Sequence, residues 1–359
     1  MFRTWLLIVV TAVLLHGADA RRKLWQLDLA QFVNGRKDLS AVVWGISFSP
    51  DESKLAIGFG PLPGTGAAAP QHIVIVSVGS PSMALREFDV GLENYIVTTF
   101  AWAPSGTALV VGDALARPVM LTIGGEPPCT LPDLAQFGGF LSDDRMVITM
   151  NDAEIRILRR DCSLLNSWKT AGYTRVRDTS PDKDLIATLS PSADGSSTIE
   201  LVSGTREVIQ RWSRNAEEKP SGGLHFADHG RMLCSGYGSS KEPYRGDHIG
   251  CWDTQSGAIT ARDTNVTLGD NLIREGGGLL AITDYDITIR TGRLWHALDM
   301  GGITILPRRR VIWDARTGKE IASWTRPTIK AHSATALSQN GRYYAEGDSG
   351  SLSVYSLQP

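Results

Sequence analysis

No stretch of this chain stays apolar for the roughly twenty residues that a membrane-spanning helix needs. An excess of either charge is also missing. The 36 Lys and Arg face 38 Asp and Glu, for a formal net charge of −2. That balance excludes the basic footprint of a nucleic-acid-binding protein and a broad surface for anionic membranes. Catalytic signatures are absent as well: there is no G-x-S-x-G elbow and no H-E-x-x-H motif. The segment Gly60-Pro61-Leu62-Pro63-Gly64-Thr65-Gly66 lacks the lysine of a phosphate loop, and its prolines remove N–H donors such a loop requires. No metal or cofactor is expected. His225 and His229 stand four apart around a turn without a third ligand. Asp284 and Asp286 supply too few oxygens for Ca²⁺.

What is present is a globular composition, 42% hydrophobic and 21% charged, rich in turn formers with 37 Gly and 17 Pro. Residues 1–20 read as an export signal: Arg3, then the apolar run Trp5 to Leu15, then Ala18-Asp19-Ala20 as an A-x-A cleavage site. An uncleaved anchor is the alternative, and membrane contact is expected only in that case. The reading places a single domain at residues 21–359 in the periplasm or secreted beyond it.

One pattern recurs along that domain: an apolar strand, a tight polar turn, a second strand and a longer link to a third. Its clearest forms are Trp44-Gly45-Ile46-Ser47-Phe48-Ser49-Pro50-Asp51 running on to Ile57-Gly58, and Phe100-Ala101-Trp102-Ala103-Pro104-Ser105-Gly106 running on to Val110-Val111. Weaker copies follow at 140–148, 178–187, 224–234, 273–281 and 336–345. Pro presets φ in such turns, Asp and Ser bond the nearby backbone, and Gly takes positive φ. Leu55, Leu109, Met146, Leu185, Met232, Leu279 and Tyr343 mark the second strands, at spacings between 37 and 64 residues. Third strands are expected at Ile73–Val78, Val119–Ile123, Glu154–Leu158, Thr198–Val202, Ile249–Asp253, Val311–Asp314 and Leu352–Leu357. Glu320 to Trp324 reads as a fourth.

Two of the third strands end in Trp-Asp pairs, Cys251-Trp252-Asp253 and Ile312-Trp313-Asp314, the second followed by Ala315-Arg316-Thr317-Gly318-Lys319. Here the chain resembles the WD40-repeat family, over nearly all of residues 21–359. It departs from the family in five copies that lack the pair, and only Ala331-His332 resembles the family's Gly-His position. The resemblance implies an all-β, seven-bladed β-propeller, with six or eight blades as alternatives, since family blades run about 40–45 residues. A β-sandwich also gives short, evenly spaced strands, but it does not repeat one motif seven times. The last copy supplies only three strands, and Leu24 to Leu29 can pair with it as the fourth, closing the ring and removing an exposed edge.

Three links between second and third strands are long: Gly60 to Gln71, Gly238 to Asp247, and about Asp284 to Arg310. Long loops on a rigid scaffold carry binding residues. The candidates are Tyr244 and Arg245 in the second link, and Trp295, His296, Asp299 and Arg308 in the third. In the third link, alternating Ile287, Ile289, Ile303 and Ile305 suggest an extended hairpin. The four cysteines allow three pairings. Cys129 and Cys162 lie where third strands give way to fourth in consecutive copies, and Cys234 and Cys251 sit on neighbouring strands of one copy. Disulfides or buried free thiols remain open at this point.

The expected function is non-catalytic: a monomeric binding or scaffold protein of the cell envelope whose loops on one face capture a protein partner. The alternative is a propeller enzyme (a hydrolase, lyase or quinone-dependent dehydrogenase) with a central-channel active site. Acidic or His side chains converging from several blades would mark it.

Overall fold

A computed structural model of the chain describes residues 21–32, 42–60, 71–90, 97–113, 118–124, 129–132, 135–151, 153–170, 172, 174–191, 193, 196–214, 218–239, 248–263, 274–276, 279–285, 307–327, 334–348 and 350–357. Within them the fold is all-β: 28 strands, two 3-10 turns and no α-helix. The first strand, β1 (Arg22–Asp28), stands apart from the strands that follow it. Sheet I is β2 (Val42–Phe48), β3 (Lys54–Gly60), β4 (Gln71–Ser77) and β5 (Ala84–Val90); sheet II is β6 (Val97–Trp102), β7 (Ala108–Asp113), β8 (Val119–Thr122) and β9 (Cys129–Thr130). Sheet III is β10 (Gln136–Ser142), β11 (Arg145–Thr149), β12 (Glu154–Arg159) and β13 (Leu164–Lys169); sheet IV is β14 (Arg175–Ser180), β15 (Leu185–Pro191), β16 (Ser197–Ser203) and β17 (Val208–Arg214). Sheet V is β18 (Glu218–Ala227), β19 (Met232–Ser239), β20 (His248–Asp253) and β21 (Ile259–Asp263); sheet VI is β22 (Arg274–Gly276), β23 (Leu279–Tyr285), β24 (Pro307–Asp314) and β25 (Lys319–Pro327). Sheet VII is β26 (Thr335–Leu337), β27 (Tyr343–Asp348) and β28 (Ser351–Ser356), and its fourth strand is β1, antiparallel to β28.

All seven are antiparallel, six of them meanders of consecutive strands and the seventh completed by β1, and the first strand of each packs on the first strand of the next. β2 touches β6, β6 touches β10, β10 touches β14, β14 touches β18, β18 touches β22 and β22 touches β26; β26 in turn touches β2. The apolar clusters among the described residues follow the same order, each filled from two neighbouring sheets. Ile73 and Ile75 of sheet I meet Trp102, Leu109 and Val111 of sheet II. Val147, Ile155 and Ile157 of sheet III meet Ile186 and Val202 of sheet IV. Leu352 and Val354 of sheet VII, with Leu27 of β1, meet Ile46, Leu55 and Ile57 of sheet I. Each such Ile or Leu, buried on a face that water would otherwise wet, contributes about 1.5–3 kcal/mol. Because both faces of a strand serve two different clusters, inner strands read as near-continuous apolar runs, as in Leu55-Ala56-Ile57.

Register corrects the repeat alignment. Phe48 pairs with Leu55 and Trp102 with Leu109. The matching pairs in sheets IV, V and VII are Thr179 with Ile186, Phe226 with Leu233 and Leu337 with Tyr344. Leu185, Met232 and Tyr343 therefore sit one residue early, and a one-residue shift in a strand moves a side chain to the other face. The third link is shorter than its sequence suggests. β23 runs to Tyr285 and β24 begins at Pro307, with Asp284 opposite Arg309, so Arg308 belongs to a strand.

Six outer strands share an irregularity. Leu24, Leu85, Leu165, Ile209, Thr260 and Ile321 are each one extra residue inserted opposite the third strand. Five of them are large aliphatic residues, and all five are exposed. The bulge bends each edge and turns its extra side chain outward.

The turns are built as their residues dictate. Ser49 Oγ accepts the Lys54 N–H at 2.9 Å, and Ser338 Oγ accepts the Tyr343 N–H at 2.9 Å in the corresponding turn of sheet VII. The turn position that Gly106 and Gly341 fill with φ of 66° and 67° is held in sheet I by Glu52 at 59°. A non-glycine residue there has a compensating role. Glu52 is buried, and its carboxylate crosses to sheet VII, accepting the Asn340 N–H at 2.8 Å and Arg342 Nε at 2.7 Å. Burial alone would raise this carboxyl; hydrogen bonds from Ser338, Asn340 and Arg342 and the Arg342 charge outweigh it and hold the pKa below the usual value. A depressed carboxyl stabilises the fold above its unfolded pKa and loses that effect as pH falls through its folded pKa. Glu52→Gln is expected to lower stability by roughly 1–3 kcal/mol at neutral pH. Thermal unfolding at pH 7 and below about pH 4 checks this: the gap between variant and parent should close in acid.

Candidate functional site

The loop candidates Tyr244, Arg245, Trp295, His296 and Asp299 lie outside the described residues, as do residues 1–20, Ile287, Ile289, Ile303, Ile305 and His332. Two disulfides are present. Cys129 of β9 is joined to Cys162 in the β12–β13 turn, tying sheet II to sheet III, and Cys234 is joined to Cys251, its direct register partner across β19 and β20. Among the described residues no cysteine is free, and no group of three or more His, Cys, Asp or Glu is arranged to hold a metal ion.

The described residues bring together a different group. Where β14 and β18 end in their turns, a cavity of about 250 Å³ opens between sheets IV and V, with Gln339 of the β26–β27 turn on its wall. Asp178, one position before the buried Thr179, sits between the two sheets. Its Oδ1 accepts the Thr179 N–H at 2.9 Å, and its Oδ2 accepts the Phe226 N–H of the next sheet at 2.8 Å. His225 Nδ1 stands 3.9 Å from the same Oδ2, too long for a hydrogen bond but close enough for charge to matter. Burial pushes the Asp178 carboxyl up to about 7, against the pull of those two N–H donors. A second acid–imidazole pair lies beyond it: Asp182 Oδ2 to His229 Nδ1 at 2.9 Å, both half exposed. Gly230 lets the two turns approach, because a Cβ there would lie 2.0 Å from Ser180 Oγ.

This recess stands at the opposite end of the sheets from the second-to-third-strand links, since successive connections of an antiparallel meander alternate ends. A larger open depression of about 580 Å³ on sheet III carries Arg145, Arg159 and Arg160 beside Asp144 and Asp161. Its charges offset one another, and Arg145 is already paired with Asp184 at 3.1 Å.

Sequence reasoning weighed His225 and His229 as a metal pair around a turn that lacks a third ligand, and passed over Asp178. The signal was in the columns of the repeat. Ser47, Ala101 and Ala336 pair with Ala56, Val110 and Ala345. The same pairing position holds Asp178, His225 and Glu275 in sheets IV, V and VI. Small residues in three copies and ionisable ones in three consecutive others are not what packing alone selects. The arrangement can accept hydrogen bonds, bind a cation and exchange a proton near neutrality.

No family model matches the chain, and no curated protein matches it either.

Proposed function

We propose that the chain is an exported, seven-bladed β-propeller of WD40-like type that acts as a non-catalytic binding protein of the cell envelope. Its long second-to-third-strand links would capture a protein partner. The observation that carries the reading is the order of packing: seven four-stranded sheets in series, with β26 against β2 and β1 completing the last sheet. A ring of sheets about one axis accounts for every one of these contacts. The two disulfides fit an oxidising compartment. The test is affinity capture from envelope extract with residues 21–359 as bait. A partner held by the parent chain should be lost from a Trp295→Ala/His296→Ala variant whose unfolding temperature is unchanged. Equal retention by both would remove the loop face from the proposal.

A second reading, an acid–base enzyme, is favoured by one observation: a carboxyl poised near neutrality beside His225. It predicts turnover in a panel of ester, glycoside and uronide substrates that Asp178→Asn abolishes. No turnover across the panel counts against it.

A further inference from the structure

We propose that the recess between sheets IV and V is a binding site for a primary ammonium group, carried by a small amine or by a lysine side chain. This inference does not depend on the loop face or on catalysis. A carboxylate offers about four acceptor positions, and the two backbone N–H donors occupy one on each Asp178 oxygen. An ammonium group carries three donors and the charge that complements a partly buried carboxylate. Asp182 and Gln339 also line the cavity, whose volume of about 250 Å³ suits a side-chain-sized group. His229, whose Nδ1 lies 2.9 Å from Asp182 Oδ2, lines the same cavity.

The charged groups on the surrounding elements set the balance. β14 itself bears Arg175 and Arg177, both exposed. Its turn bears Asp182, Lys183 and Asp184, and Asp184 is paired with Arg145. The β18–β19 turn bears Asp228, His229 and Arg231, with Arg231 3.8 Å from Asp228. β10 contributes no ionisable group, and the β26–β27 turn contributes the neutral Gln339 and Asn340, with Arg342 held by Glu52.

A cation seated beside Asp178 requires its ionised form, so binding expels a proton. With that carboxyl near 7, affinity is expected to fall about tenfold per pH unit below neutrality. The probes are n-butylammonium chloride and Nα-acetyl-lysine methylamide, with methyl β-glucoside as a neutral control, added to residues 21–359. The readout is the ring Cε1–H resonances of His225 and His229, assigned with His225→Gln and His229→Gln. At pH 8 both resonances should move with either amine. The movement should be at least tenfold weaker at pH 6, and absent in Asp178→Asn. If that variant does not fold, Gln339→Leu should weaken n-butylammonium binding several-fold instead. Equal response to both amines would show that a chain-borne lysine reaches the site; response to n-butylammonium alone would restrict it to free amines. No shift with either amine, a shift indifferent to pH, or an equal shift with the glucoside overturns the proposal.

Discussion

A chain that begins at residue 30 is expected to unfold at a much lower temperature than one that begins at residue 21. The nine residues removed hold the molecule's two ends together. β1 pairs with β28 from Arg22–Ser356 to Asp28–Ser351, and the Leu29 N–H donates to the Gly350 carbonyl at 2.9 Å. Leu27 and Leu29 are buried among side chains of sheets I and VII. Trp25 Nε1 reaches across to the Val78 carbonyl of sheet I at 2.8 Å. Arg21 lies 4.1 Å over the Trp324 ring and 4.4 Å over that of Tyr355, joining sheets VI and VII. Truncating a buried leucine to alanine costs about 2–5 kcal/mol, and here two are lost together with a strand's hydrogen bonds. The total approaches the roughly 5–15 kcal/mol by which a folded domain is stable at all. Leu29→Ala alone should cost about 2–5 kcal/mol. Scanning calorimetry of the two chains decides the matter: equal midpoints would mean that β1 is an ornament of the last sheet and not its closing strand.

Reduction of the disulfides should have the next largest effect, and it should come in two stages. Cys129–Cys162 joins residues 33 apart in sequence and Cys234–Cys251 joins residues 17 apart. Constraining unfolded loops of these lengths is worth about 3–4 kcal/mol each. Cys129 is only partly buried, whereas Cys234 and Cys251 are fully enclosed in the cluster between sheets V and VI, against Met232 and Trp313. Dithiothreitol added to the native protein should therefore open the first bond while the second survives until unfolding. Alkylation followed by mass spectrometry should find two labelled cysteines, Cys129 and Cys162. The unfolding midpoint should fall by roughly 5 °C. Four labels at once, or no change in midpoint, would contradict the assignment.

Much of the architecture was readable because it is local. A hairpin is set by its own turn, so Ser49-Pro50-Asp51 and Ala103-Pro104-Ser105-Gly106 announced their strands. Six of the seven third strands fell within two residues of their expected limits, and β24 begins four residues early, at Pro307. The all-β class and the role of the N-terminal segment followed from counting strands. The exact phase of the copies did not, because turns of different construction, such as the 3-10 turn at Pro181–Lys183 ahead of Asp184 at φ 54°, look alike in sequence. Bulges were equally hidden: Ile321, inside the expected strand Glu320 to Trp324, carries no mark in sequence of the extra residue it is. The recess was invisible for another reason. Asp178, His225 and Gln339 are far apart in sequence and meet only through packing between sheets.

The bulged outer strands carry a consequence for the molecule in company. Sheets with straight, fully paired-ready margins are templates on which further chains can add, strand upon strand, until fibres form. Here the extra residue in six of the seven margins breaks the spacing that an incoming strand would have to match, and the margin of sheet II is a strand of only two residues, Cys129–Thr130. The bulges at Leu24, Leu85, Leu165, Ile209 and Ile321 thus work against strand-by-strand addition at these margins.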